Sequence, residues 1–129
     1  MQLSKLKGLP LILPSHPHGL RAVVDAAFAR VSQEPRVVLE VDGLALLMDA
    51  VRSGIGATIQ PGAATARLPA DAVARIEISD GLARRVNTLV SLSNNELSPA
   101  ALAARIMVRN VARQLVIDGH WPGATLHDT

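Results

Sequence analysis

Between residues 9 and 61 the apolar pattern switches back and forth between two periods, and this alternation restricts the fold more than any single motif. "LPLILP" (9 to 14) is a short apolar run bounded by prolines, as a buried strand requires. From His18 the period changes: Leu20, Val23, Val24, Ala27, Phe28 and Val31 recur at offsets of three and four, the stripe of an amphipathic helix. "SQEP" interrupts it, and "RVVLEV" (36 to 41) is rich in β-branched residues and reads as a strand. A second helix follows, with Asp42 placed to cap its start, Leu44, Leu47, Met48 and Val51 on one face, and Gly54 placed to end it in the left-handed conformation. "IGATIQP" (55 to 61) then reads as a short strand stopped by Pro61. Strand, helix, strand, helix, strand with short connections predicts an α/β fold, a mainly parallel sheet flanked by helices in three layers.

Beyond residue 61 the pattern is less regular. "GAATARLPADAV" (62 to 73) reads as a short helix and a loop, "VARIEIS" (73 to 79) and "VNTLVSLS" (86 to 93) alternate as strands do, and "NNEL" is a loop. Ser98 and Pro99 suit the cap and first turn of a helix over residues 100 to 117, ended by Gly119. That helix carries Leu102, Ile106, Met107, Val108, Val111, Leu115 and Val116 on more than one stripe, so it expects apolar neighbours on several sides. We expect residues 98 to 118 either to contact another copy of the chain or to fold back on their own lobe. Residues 119 to 129 have no period and are expected to be a loose tail, with Trp121 available to tuck against something.

Composition removes several classes of function. The chain has no cysteine, which excludes thiol catalysis, thiolate metal sites and disulfides. Phe28 and Trp121 are the only large aromatic rings, too few to stack a single-stranded nucleic acid. The sequence pI of 9.9 reflects arithmetic rather than a basic patch: 13 basic residues stand against 11 acidic ones, with no tyrosine or cysteine and only Lys5 and Lys7 to titrate above neutrality before arginine does. No apolar run is long enough to span a bilayer and no secretory leader is visible, so a cytoplasmic protein without a membrane partner is expected.

The chemistry-bearing stretch is "PSHPHG" (14 to 19), where the first strand hands over to the first helix. At that point a parallel α/β sheet presents unpaired amides and a helix dipole that favour an anion. Ser15 adds a hydroxyl, His16 and His18 can donate hydrogen bonds, and Gly19 lets the backbone approach. The plainer alternative is that Ser15 or His18 simply caps the helix. Gln60 and Pro61 end a second strand, and the strand-end rule places both loops on one edge of the sheet. Metal binding at His16 and His18 lacks a third ligand, since His120 and His127 lie in the tail. No nucleophile elbow or zinc helix is present, so neither an enzyme nor a cofactor is expected. "GIG" (54 to 56) precedes a strand instead of following one, which excludes a dinucleotide fingerprint. Arg105, Arg109 and Arg113 recur every four residues as a basic stripe, either a solvated face or a contact for an acidic surface.

Taken in order, "LPLILPSHPHGLRAVVDAAF" and "VLEVDGLALLMDAVRSGIGATIQP" resemble the second lobe of the effector-binding domain of LysR-type transcriptional regulators, over about residues 8 to 118. The resemblance implies a two-lobed fold like that of the type 2 periplasmic binding proteins, with a small effector between the lobes. Residues 8 to 85 would form the second lobe, residues 86 to 118 a crossover strand and helix belonging to the first, and residues 1 to 129 together a partial effector-binding domain. It also implies that the loops holding Ser15, His16 and His18 and the turn of Gln60 and Pro61 touch a small, anionic, carboxylate-bearing ligand. In such regulators DNA is bound by an N-terminal winged helix-turn-helix, here expected to be missing, and the proteins work as homo-oligomers. A fragment of a solute-binding protein or a small α/β enzyme are the alternatives, which a leader or a coherent nucleophile set would favour.

Overall fold

A computed structural model describes residues 1–127. The chain divides into two compact units, one comprising Met1–Gln60 and Arg67–Arg85, the other Pro61–Ala66 and the chain from Val86 onward.

The first unit is organised around a strand, β1 (Leu11–Leu13), every residue of which is buried. Side chains alternate across a strand, and the packing follows that alternation. Leu11 and Leu13 join Leu20, Val24, Ala27 and Phe28 of helix α1 (Gly19–Arg30) and Leu3 of a short 3₁₀ helix, Leu3–Leu6. Ile12 points the other way, into a cluster with Val41 and with Leu47 and Met48 of helix α2 (Leu44–Arg52). One helix thus covers each face of β1, the layered arrangement that the alternating periods predict.

Strand β2 (Val37–Glu40) pairs parallel with β1, Leu11 opposite Val37 and Leu13 opposite Glu40, with an irregularity after Leu11. On the other edge of β1 a parallel bridge joins Leu11 to Ala57: Ile12 N–H donates to Ala57 O and Ala57 N–H to Pro10 O, at 2.8 and 2.9 Å. The expected strand over 55 to 61 is therefore a bridge at Ala57 rather than a full ladder. Gly56 makes the approach possible, since a Cβ there would stand 2.7 Å from Pro10 O.

Helix ends follow the sequence in part. His18 caps α1, its Nδ1 accepting from Leu20 N–H, and Ser98 caps helix α3 (Pro99–Ile117) by accepting from Ala101 N–H. Gly54 takes φ +79°, as expected of a residue closing α2. Asp42 does not cap α2; Gly43, at φ +105°, occupies that position without a side-chain bond. The physical reason is that the Asp42 carboxylate finds better donors across the sheet end, described below.

The two further strands expected over 73 to 79 and 86 to 93 are corrected to extended chain. Ser79 N–H donates to Met1 O, but no ladder forms along 73 to 79. Among the described residues, 86 to 93 meet no strand partner, and Val86 and Val90 are 72% and 82% exposed. Alternation marks which faces a strand would have; pairing needs a second backbone. Before them, residues 62 to 73 give a 3₁₀ turn, Gly62–Thr65.

In the second unit α3 has no buried residue, and Met107, Val108, Val111 and Ile117 are all more than half exposed. Arg105 bonds Ser91 Oγ and Asn94 Oδ1. The expected loose tail is anchored at its start, where Trp121 N–H donates to Leu115 O; Pro122 also lies so close to Gly62 that a Cβ there would clash.

Phe28 is completely buried between the elements of the first unit. Phe28→Ala is expected to lower the free energy of unfolding by about 3–5 kcal/mol. In the same urea titration Leu46→Ala, at a position 64% exposed, is expected to stay within about 0.5 kcal/mol of the native chain.

Candidate functional site

Parallel pairing on both sides of β1 carries three chain segments out in one direction: Pro14 and Ser15 after β1, Val41 and Asp42 after β2, and residues 58 to 60 after the Ala57 bridge. The end of a parallel sheet from which strands leave is where helix N-termini and loop amides gather.

Arg21, on the first turn of α1, holds this end together. Its side chain is only about 10% exposed, and its Nη1 donates to Pro14 O, at 3.1 Å, and to Glu40 Oε1, while Nε donates to both oxygens of Asp25. Burial alone would favour loss of its proton, but the hydrogen bonds and charges of Glu40 and Asp25 outweigh that, and the net displacement of its pKa is upward. A buried guanidinium bonded through Nε and Nη1 to three partners ties the exit of β1, the end of β2 and the first turns of α1 together.

Above this clamp Ser15 and Asp42 meet. Ser15 N–H donates to Asp42 Oδ1 at 3.1 Å and Ser15 Oγ–H to Oδ2 at 2.5 Å, a two-pronged grip on one carboxylate. The hydroxyl bond first and then the amide bond, both from Ser15, hold the Asp42 pKa below its ordinary value.

The residues singled out in the sequence are only partly brought together. His18 spends Nδ1 as the acceptor for Leu20 N–H, which is the plainer capping role. His16, joined to Pro17 by a cis peptide bond, turns its exposed ring toward α1, with Nε2 3.4 Å from Asp25 Oδ2. Gln60 Nε2 reaches Thr58 Oγ1 at 3.4 Å. Pro61 opens the second unit, its carbonyl accepting from Ala64 N–H. Among the described residues no group of three or more His, Cys, Asp or Glu side chains could hold a metal, and no helix is long and apolar enough to cross a membrane. A groove of about 570 Å³ beside β2 and α2, lined in part by Leu39, Val41, Asp42, Leu46 and Ile55, takes in Asp42 but neither Ser15 nor Gln60.

Sequence reasoning missed Arg21, Glu40 and the partner of Asp42. A signal for the last was present: Asp42 follows "RVVLEV" as Ser15 follows "LPLILP", so parallel pairing of the two strands sets their following residues side by side.

The unit is a parallel α/β arrangement with polar loops at its strand ends, and comparison of the sequence with known proteins gives it a family. The model of the LysR substrate binding domain matches residues 1–113, so the chain belongs to that family. It is 32% identical over 111 residues to the uncharacterized HTH-type transcriptional regulator YfeR of Shigella flexneri, an alignment covering 86% of this chain and 36% of that protein. With the HTH-type transcriptional regulator BbuR of Bordetella bronchiseptica it shares 28% identity over 123 residues, 92% of this chain and 37% of the relative. The chain therefore spans a little over a third of the length of these relatives. No solved structure matches.

The lowered Asp42 pKa gives a pH dependence with a definite sign. Unfolded, the group titrates near its ordinary 3.8, and folded it titrates lower. The Ser15 bonds therefore stabilise fully above the unfolded value and are lost as pH falls through the folded one. Ser15→Ala is expected to lower the neutral plateau in a plot of unfolding free energy against pH and to make the acid limb shallower.

Proposed function

We propose that this chain is the effector-sensing part of a LysR-type transcriptional regulator, and that it binds a small carboxylate-bearing ligand at the sheet end where Ser15, His16, His18 and Gln60 lie. The observation that carries this reading is the parallel course of three segments past β1, which directs Ser15 and residues 58 to 60 toward the same edge. Family membership supports it, and so does the chemistry of the loops, which hold amides, hydroxyls and imidazoles, the donors that an anion needs. The role is binding rather than turnover. In the whole regulator, DNA contact belongs to a helix-turn-helix part, in keeping with the printed names of the relatives.

A screen of di- and tricarboxylates by thermal shift, followed by calorimetry of the best, tests the ligand class. Ser15→Ala and Gln60→Ala are each expected to weaken the selected acid by about tenfold, the worth of one hydrogen bond to a charged group. Unchanged affinity in both variants would remove the assignment of the site.

Assembly with other copies belongs to the same reading. The exposed apolar residues of α3 need cover, since burying them is worth about 25 cal/mol per Å². Sedimentation is expected to show a concentration-dependent oligomer, and Met107→Asp with Val111→Asp to shift it toward monomer.

A further inference from the structure

We propose that Asp42 is the specificity gate of this sheet end: its carboxylate holds the two donors of Ser15, so that an incoming acid binds by displacing it, carboxylate for carboxylate. The inference rests on the site proposed above and adds to it the residue that decides which acids succeed.

The geometry is that of a bound carboxylate. Asp42 takes the Ser15 amide on one oxygen and the Ser15 hydroxyl on the other, as a ligand carboxylate at the same place would. The other donors of the site are committed more loosely or elsewhere. His18 Nδ1 accepts and does not donate, His16 faces Asp25 at 3.4 Å, and Gln60 Nε2 makes one long bond of 3.4 Å to Thr58. Ser15 is therefore the strongest anion-binding point among these residues, and it is already paired with a negative charge.

Two consequences follow from a tethered competitor. A side chain fixed close to its donors acts at an effective concentration in about the millimolar range or above, which a free acid offering only the same two bonds must exceed. A simple monocarboxylate such as acetate loses that contest. An acid with a second carboxylate or hydroxyl wins, because its additional bonds to His16, His18 or Gln60 are ones that Asp42 cannot supply. The exchange also moves the residue that directly precedes Gly43 and α2, so the identity of the ligand is registered on a second element of the sheet end. Asp42 and Arg21 differ in this respect: Arg21 is buried and bonded to Pro14, Asp25 and Glu40, while Asp42 stands exposed, its contact with Ser15 open to solvent.

The experiment is an amide-resolved NMR titration of the 129-residue chain and of Asp42→Asn and Asp42→Ser, with sodium acetate, succinate and citrate at constant ionic strength and neutral pH. Thermal melts confirm that each variant folds, and two replacements of different shape guard against a change peculiar to either one. Both variants are expected to bind succinate and citrate at Ser15 about tenfold more tightly than the native chain, by the loss of one charge-assisted competitor, and to respond to acetate where the native chain does not. Equal or weaker affinity in the variants, with the Ser15 amide still responding, would overturn the gate and leave the binding site standing. If no acid moved the amides of Ser15, His18 or Gln60 in any of the three proteins, the binding site would fall and the gate with it.

Discussion

A strand of three residues, Leu11, Ile12 and Leu13, carries the first unit because both of its faces are closed to water. Leu11 and Leu13 press against α1 and Ile12 against α2, so helices from the two sides meet through one backbone. Once β1 is buried in this way, its amides and carbonyls must be paired within the protein, since an unpaired buried peptide group is costly. The partners are β2 on one side and the Ala57 segment on the other. The parallel course of all three segments is thus tied to a short apolar run, and the gathering of polar loops at one end is its direct consequence.

The polar end repeats the same economy of parts. Among the described residues Arg21 is the one charged residue in the buried set, and it remains charged because it binds a carbonyl and two carboxylates at once. Those bonds join the exit of β1 to the end of β2 and to the body of α1. Ser15 and Asp42 then make a second, exposed link between the same two strand ends. The guanidinium of the clamp is closed to solvent, whereas the Ser15–Asp42 contact is open to it.

How far the sequence could be read varies with the range of the interactions involved. The helix over Pro99–Ile117 with its Ser98 cap, the left-handed Gly54 and the capping role open to His18 all depend on neighbours within four residues, and they were legible. The strand pattern at 86 to 93 was equally clear as a pattern, yet no ladder forms along it among the described residues, because hydrogen-bonded pairing is a property of two segments. Asp42 shows the same limit at a single side chain. Locally it is a good helix cap, and across the sheet end it meets an amide and a hydroxyl together; two donors outweigh one. Arg21 reads in the sequence as a surface residue on the polar face of an amphipathic helix, and nothing nearby in the chain announces Glu40, nineteen positions on, as its partner.

By itself, then, the order of residues determined the α/β class, the family, the Ser98 cap of α3 and the apolar stripes that α1 and α2 turn inward, because periodicity and capping act over one or two turns of chain. The three-dimensional arrangement decided which strand ends lie side by side, that the Ser15 donors are spent on Asp42, and that Arg21 is buried and clamped. Those outcomes depend on distances between segments far apart in the chain, set by how β1 packs, and no local propensity encodes them.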